Sequence, residues 1–267
     1  MEQRDQSPRG AAGPAILLGV AEARERILRA FRPLPAVRLP LLDAVGLVVA
    51  EPVIASENLP PFANSAMDGF AVRAADTAGA SEQTPARLRV TGLAAAGAAP
   101  TAAVTPGTAV RIMTGAPLPP GADAVVRFEH TDDVDRPPSA RNEIGIHSPV
   151  RTGEHVRAAG EDVTAGQQVL EPGCQVRPAE IGMLAALGWS SVTVHRRPRV
   201  AILSTGDELV DPGTPLGPGQ IRNSNSPMIA AMTLRAGGEP LLLGTARDST
   251  AELTALLDQA LAADLII

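Results

Sequence analysis

The sequence predicts a multidomain chain of mixed class, α+β in its first part and α/β in its last, and three observations carry that prediction. Between residues 61 and 156 the short alternating runs RLRV, TAVRIM, DAVVRF and EIGI are broken by Gly and Pro about every eight to twelve residues, the spacing of a β-rich module built as a small barrel or sandwich. From Arg199 the order becomes strand, helix, strand, helix, strand, which implies a parallel sheet with right-handed crossovers. A length of 267 residues with 45% apolar content supports more than one core.

Residues 1–14, MEQRDQSPRGAAGP, hold too little apolar surface to bury and are expected to form a disordered tail. Leu17, Val20, Ile27, Leu28 and Phe31 then recur at helical spacing, predicting an amphipathic helix; its leading run AILLGVA is too short to span a bilayer. AVRLP and GLVVAEPVIA, between residues 36 and 56, read as short strands punctuated by Pro. VRPAEIGMLAALGW reads as a helix, with Pro178 in the first turn and Gly188 ending it, and SVTVH as the strand after it. VAILS and PLLLG are continuous apolar runs, as expected for strands buried on both faces. Between them lies a helix opened by SPM and closed by Gly237 and Gly238. Leu253, Leu256, Leu257, Ala260 and Leu261 give the apolar face of a last helix before DLII. A parallel sheet ending in that apolar run points to a longer parent protein.

Composition narrows the function classes. The formal charge of −6 and an aromatic content of 2% argue against nucleic-acid binding, which needs basic patches and stacking rings. All 23 cations are Arg, so no lysine amine is present as a nucleophile or Schiff base. The single cysteine, Cys174, leaves no internal disulfide framework, and with no secretory signal a cytoplasmic setting is expected. His130, His147, His155 and His195 lack metal-ligand spacing and read as structural or surface residues; Asp43, Asp132, Asp133 and Asp135 read as solvated loop charges.

In an open parallel sheet, ligands bind beyond the carboxyl ends of the strands, which singles out STGDELV (204–210) and TARDST (245–250). The first lacks the glycine fingerprint of a dinucleotide site and carries acids instead. Acids there repel a bare phosphate but suit one that brings Mg²⁺, making Asp207, Glu208 and Asp248 candidates, against the reading of Asp207 and Glu208 as a solvated turn. Asp248 could instead cap a helix, yet Ser249 with Glu252 forms the better S-x-x-E cap. The loop GPGQIRNSN (217–225) has the length and amide content of a ligand-holding segment. Asp68, in PPFANSAMDGFAV (60–72), precedes Gly69 as a turn acid would.

Together, PPFANSAMDGFAV, GTAVRIMTGAPLPPGADAVVRFE (107–129), AAGEDVTAGQQVLEPGCQVRPAEIGMLAALG (158–188), RRPRVAILSTGDELVDPGTPLGPGQIRNSN (196–225) and the LLLGTARD loop resemble the molybdopterin molybdenumtransferase family, the MoeA and gephyrin E-domain type. The resemblance implies an elongated homodimer. In it, residues 15–60 and 157–195 form a discontinuous mixed α/β dimerisation domain, 61–156 an inserted β-rich domain, and 196–267 the N-terminal part of a truncated molybdopterin-binding α/β domain. It implies insertion of molybdate into adenylylated molybdopterin with Mg²⁺ and release of AMP, an activity expected of the parent protein and not of these residues alone. Carried over to this sequence, Asp68 and Thr114 fall on functional positions of the β-rich domain, and Glu208 and Asp248 on those of the α/β domain, the latter two as metal ligands. Ser65, Gly115, Thr205, Gly206, Asp207 and Asn225 are expected around the bound substrate. The site is expected to be shared, with Asp68 serving the neighbouring chain. A molybdopterin adenylyltransferase is implied as upstream donor and molybdoenzymes as recipients, with no nucleic acid or membrane partner. The rival reading of the same fold is a non-catalytic dimeric molybdopterin-binding or scaffold module.

Overall fold

The computed structural model describes residues 18–133 and 142–267; the expected tail, Leu17 and Asp135 lie outside them. Two compact units emerge, one formed by Val37–Val194 and the other by His195–Ile267 together with the residues up to Ala36. Helix α1 (Val20–Ala30) therefore groups with the α/β segment, whereas the sequence reading joins it to the strands that follow it. The contacts of that stretch explain the grouping: the His195 ring donates from Nδ1 to the Leu34 carbonyl at 2.6 Å, and the Arg196 amide donates to Pro35.

In Val37–Val194 the β-rich module is a five-stranded sheet of β1 (Gly69–Val72), β2 (Ala86–Ala94), β3 (Thr108–Ile112), β4 (Ala124–Arg127) and β5 (Glu143–Ile146), in the order β4-β1-β3-β2-β5. β2 and β3 run parallel and the other neighbours antiparallel. Just after β4, Thr131 bridges Ile146 and the Asp132 amide donates to Gly145, so the sheet curls back onto the far edge of β5, close to the expected barrel. Alternation buries both faces: Phe70, Val72, Val126, Ile144 and Ile146 share one cluster, and Ala71, Val110, Ile112 and Val125 the other.

A second core in this unit joins segments far apart in sequence. Ala44, Leu47, Val49 and Val53 pack against Leu170, Val176, Leu184, Val192 and Val194, on a sheet in which strand 191–195 lies between strands 36–40 and 48–49. Helix α2 (Pro178–Ala186) covers it, starting at Pro178 as predicted. Glu180 accepts from the Arg177 amide at 2.9 Å and from its guanidinium, closing the first turn.

In the α/β unit, β6 (Arg199–Thr205) lies between β7 (Glu239–Ala246) and β8 (Leu265–Ile266), all parallel. Right-handed crossovers to opposite sides of β6 put α3 (Asn225–Arg235) and α4 (Thr250–Ala260) on opposite faces. Val200 and Ile202 pack with Ala230 of α3, while Ala201 is also buried, as is Ala260 of α4. β6 is thus enclosed on both faces as the apolar run predicts. β7 is not: among the described residues it is an edge strand, and Leu242 is 58% exposed. The apolar stripe of α1 forms but is largely uncovered, with Val20 87% exposed, whereas that of α4 is partly covered: Ala260 is buried, Leu253 and Leu256 are half-buried, and Leu261, just past the helix, is 74% exposed.

At the amino end of this sheet, Asp264 takes a bidentate bond from Arg196 (2.6 Å each) and one from the Arg199 amide (2.8 Å). The Arg196 bond, chiefly, brings the Asp264 carboxyl down to about 2, and Arg177 brings Glu180 to about 2. A carboxyl whose folded value lies below its unfolded one stabilises the fold above the unfolded pKa and loses that contribution as pH falls. The urea midpoint is therefore expected to fall on acidification from about pH 4 toward 2. Asp264→Asn should flatten part of that slope; an unchanged slope in this variant would show that Asp264 does not contribute.

Candidate active site

In the Val37–Val194 unit the candidate residues sit on two adjoining loops. One joins strand 64–65 to β1, and the other follows β3. Gly69 heads β1 because β4 runs too close for a side chain: a Cβ there would stand 1.9 Å from the Val126 carbonyl oxygen. Asp68, just before it, accepts from the Thr114 main-chain N–H at 2.7 Å and from the Thr114 hydroxyl at 2.9 Å, both on Oδ1. The main-chain bond, then the hydroxyl, then the nearby Arg111 charge hold the Asp68 carboxyl below the usual carboxylate range. Gly115, at φ +79°, turns the chain so that its N–H reaches the Ser65 carbonyl at 2.8 Å. Ser65 is buried, and its hydroxyl donates to the Met67 carbonyl, so it shapes the loop that presents Asp68.

Beneath this pair lies a feature the sequence reading misassigns. Asp133, taken as a solvated loop charge, is buried and accepts from Arg111 at 2.8 Å. The Arg111 guanidinium lies 4.5 Å from the centroid of Phe128, which meets Phe70 edge-on at 5.6 Å. Asp132 likewise is engaged, accepting from the Gly145 amide and from Arg87 at 2.9 Å each. Both acids follow the short 3-10 turn 128–130 after β4, where the curl of the sheet returns the chain onto β5 and so covers them.

In the α/β unit the strand order β7-β6-β8 makes the carboxyl ends of β6 and β8 the topological switch point, bordered by the loop Thr205–Gly206–Asp207–Glu208. Gly206, at φ +136°, lets the Glu208 carboxylate fold back over the main chain, where a Cβ would come within 2.5 Å of Oε2. The loop after β7 is tied to it: Gly206 donates to the Ala246 carbonyl at 3.1 Å, and the Asp248 amide to Asp207 Oδ1 at 3.3 Å. Asp248 is not the cap of α4; Ser249 is, accepting from the Glu252 amide, while the Glu252 carboxylate takes the Arg247 amide. Thr205, Asp207, Glu208, Asp248 and Asn225 are all exposed, and Asn225 opens the first turn of α3.

Sequence reasoning selects Asn225 and passes over Asn223, which is the buried amide of the loop at 5% exposure. Its Nδ2 donates to Ser226 Oγ (3.0 Å), Ser204 Oγ (3.2 Å) and Thr245 Oγ1 (3.3 Å), and its Oδ1 accepts from the Ser226 amide. The available signal was the hydroxyl ending each apolar strand run, Ser204 in VAILS and Thr245 after LLLG, each in need of a partner once buried.

No three His, Cys, Asp or Glu side chains gather into a metal cage among the described residues. The exposed carboxylates of Asp207, Glu208 and Asp248 match the sparser kind of site that Mg²⁺ occupies, where one or two carboxylates act alongside waters and substrate phosphate. The N-termini of α3 and α4, which follow these strand ends, add positive potential suited to an anion.

Residues 18–188 match the family model described as the MoeA N-terminal region (domain I and II), and residues 201–267 match one described as a probable molybdopterin binding domain. The chain belongs to the MoeA family. Within it, molybdopterin molybdenumtransferase 2 of Mycobacterium tuberculosis is 47% identical over 242 residues, covering 90% of this chain and 58% of that protein. Molybdopterin molybdenumtransferase of Bacillus subtilis is 40% identical over 83% of this chain and 51% of its own length. A crystal structure of the MoeA molybdopterin biosynthesis protein from Pyrococcus horikoshii aligns with a TM-score of 0.82 at 34% identity, over 92% of this chain and 64% of that one. The chain thus spans little more than half the length of these curated MoeA relatives. No helix among the described residues is long and apolar enough to cross a membrane.

Proposed function

We propose that the parent protein of this chain inserts molybdate into adenylylated molybdopterin, releasing AMP and the finished molybdenum cofactor, with Mg²⁺ as the divalent ion. The observation that carries this reading is the joining of two acid-bearing loops, through the Asp248 amide and Asp207, at the carboxyl ends of two parallel strands. The names of the relatives agree with it. Glu208 and Asp248 would hold the Mg²⁺, which would supply positive charge to offset that of the substrate phosphate. Thr205, Gly206, Asp207 and Asn225 line the phosphate end of the substrate. Asp68, kept ionised by Thr114, adds a fixed negative charge and acceptor, with Ser65 and Gly115 shaping its loop. A cytoplasmic homodimer, supplied by a molybdopterin adenylyltransferase and serving molybdoenzymes, completes the proposal.

In the dimer, Asp68 and Thr114 of one subunit serve the α/β loops of the other. Asp68→Ala and Glu208→Ala parent proteins should each be inactive alone as homodimers. Mixed under conditions that exchange subunits, they should regain roughly a quarter of the unaltered rate, because half the dimers are mixed and each mixed dimer has one intact site. Recovery of nothing would rule out the shared site.

A further inference from the structure

We infer that Asn223 is a positioning residue, whose side chain sets the relative placement of the three segments carrying the α/β candidate residues. The inference deepens the function proposed above and rests on it. Three features of the geometry lead there. Asn223 follows the short strand 221–222, which runs parallel to 209–210, and its own amide donates to the Val210 carbonyl at 2.8 Å, so its main chain is held by the far end of the acidic loop. Its side chain then reaches Ser204, the residue before Thr205–Glu208; Thr245, three residues before Asp248; and Ser226, the residue after Asn225. Finally, the amide orientation is determined by chemistry: Oδ1 must face the Ser226 N–H, which can only donate, so Nδ2 is turned to the three hydroxyls.

A single amide carries only two hydrogens, and here it is shared among three hydroxyl oxygens at 3.0–3.3 Å, with Ser204 and Ser226 also bonded to each other at 2.8 Å. Such a cluster is satisfied only when all three segments are in place together, since loss of one leaves buried polar atoms unpaired. Asn223 itself is buried beneath the loops and is therefore no ligand. Its effect on chemistry would pass through the acids, where a displacement of about 1 Å can cost on the order of 100-fold in rate.

The test is amide hydrogen exchange alongside kinetics in the full-length protein. Asn223→Ala should raise exchange about tenfold in both 205–210 and 246–249 and leave the five-stranded sheet unchanged. It should lower kcat for AMP release more than tenfold, with a smaller change in KM. Should that variant fail to fold, Ser204→Ala and Thr245→Val each remove one arm, and each should loosen chiefly its own loop. Asp264→Asn, which weakens the same unit at the opposite end of the strands, should change neither the exchange of these loops nor kcat. Unchanged exchange in the Asn223 and arm variants overturns the inference. So does raised exchange with unchanged kcat while Glu208→Ala abolishes turnover. If Glu208→Ala itself leaves turnover intact, the functional reading fails instead, and the exchange pattern alone decides what Asn223 holds.

Discussion

Glu208→Ala and Asp248→Ala, each introduced into the full-length protein, are expected to lower molybdate-dependent AMP release on the order of 100-fold or more. The same changes should move the urea midpoint little. Both side chains are exposed, and exposed substitutions away from packing or caps usually fall within about ±0.5 kcal/mol. Asp248 is the sharper of the two, because Ser249 has already taken the capping role that would give it a structural purpose. Its main-chain N–H, which Asp207 holds, survives replacement by Ala, so the loop geometry persists while the carboxylate is lost. A steady-state assay of AMP release with and without molybdate decides the matter. Rates equal to those of the unaltered protein would remove both residues from the catalytic assignment and favour a binding or scaffold module.

Gly69→Ala is expected to cost about 3 kcal/mol or more, enough to leave the β-rich module unfolded or rearranged. The obstacle is main chain, the Val126 carbonyl carbon and oxygen and the Arg127 Cα, so no side-chain rotation relieves it. Relief would need β1 and β4 to separate where Gly69 pairs with Arg127, which also frees the Asp68 loop. Gly182→Ala is the matched comparison: this glycine lies exposed inside α2 with open space around its Cβ position. That substitution should stabilise by about 0.5–1 kcal/mol. Urea unfolding followed by circular dichroism distinguishes the two, and a Gly69→Ala protein as stable as the unaltered one would show that the strands do not approach so closely.

Local patterns made much of this fold legible. The runs RLRV, TAVRIM, DAVVRF and EIGI marked four strands of the β-rich sheet but not β1, whose four residues are all buried, and the apolar run of VAILS marked the enclosed central strand of the α/β unit. Periodicity predicted α1 and α4 as well, but the stripe of α1 is exposed and that of α4 only partly covered, because a pattern states which face seeks burial and not what lies against it. PLLLG misled for a related reason: a continuous apolar run does not distinguish a central strand from one at an edge. At the site, the acids of TGDEL and ARD were readable because strand order locates the loops that follow the strands. Asn223 and the Arg111–Asp133 pair were not, since their roles arise from side chains meeting across distant elements.

The core shared by residues 44–53 and 170–194 carries a consequence for the order of folding. Arg38 bonds Ser191 across 153 residues, a separation at which strands pair slowly. The five-stranded sheet lies wholly between those partners, and at its margins Ser65 pairs with Val156 and Asn64 with Arg157. Once that clamp forms, the far-apart halves of the core emerge side by side, and the loop left to close is much shorter. On a ribosome, strands 36–40, 48–49 and 53–54 are made early and then stand with open edges until 168–195 follow. The module that presents Asp68 is therefore closed at its base by a pairing that also brings the two distant halves of the Val37–Val194 core side by side.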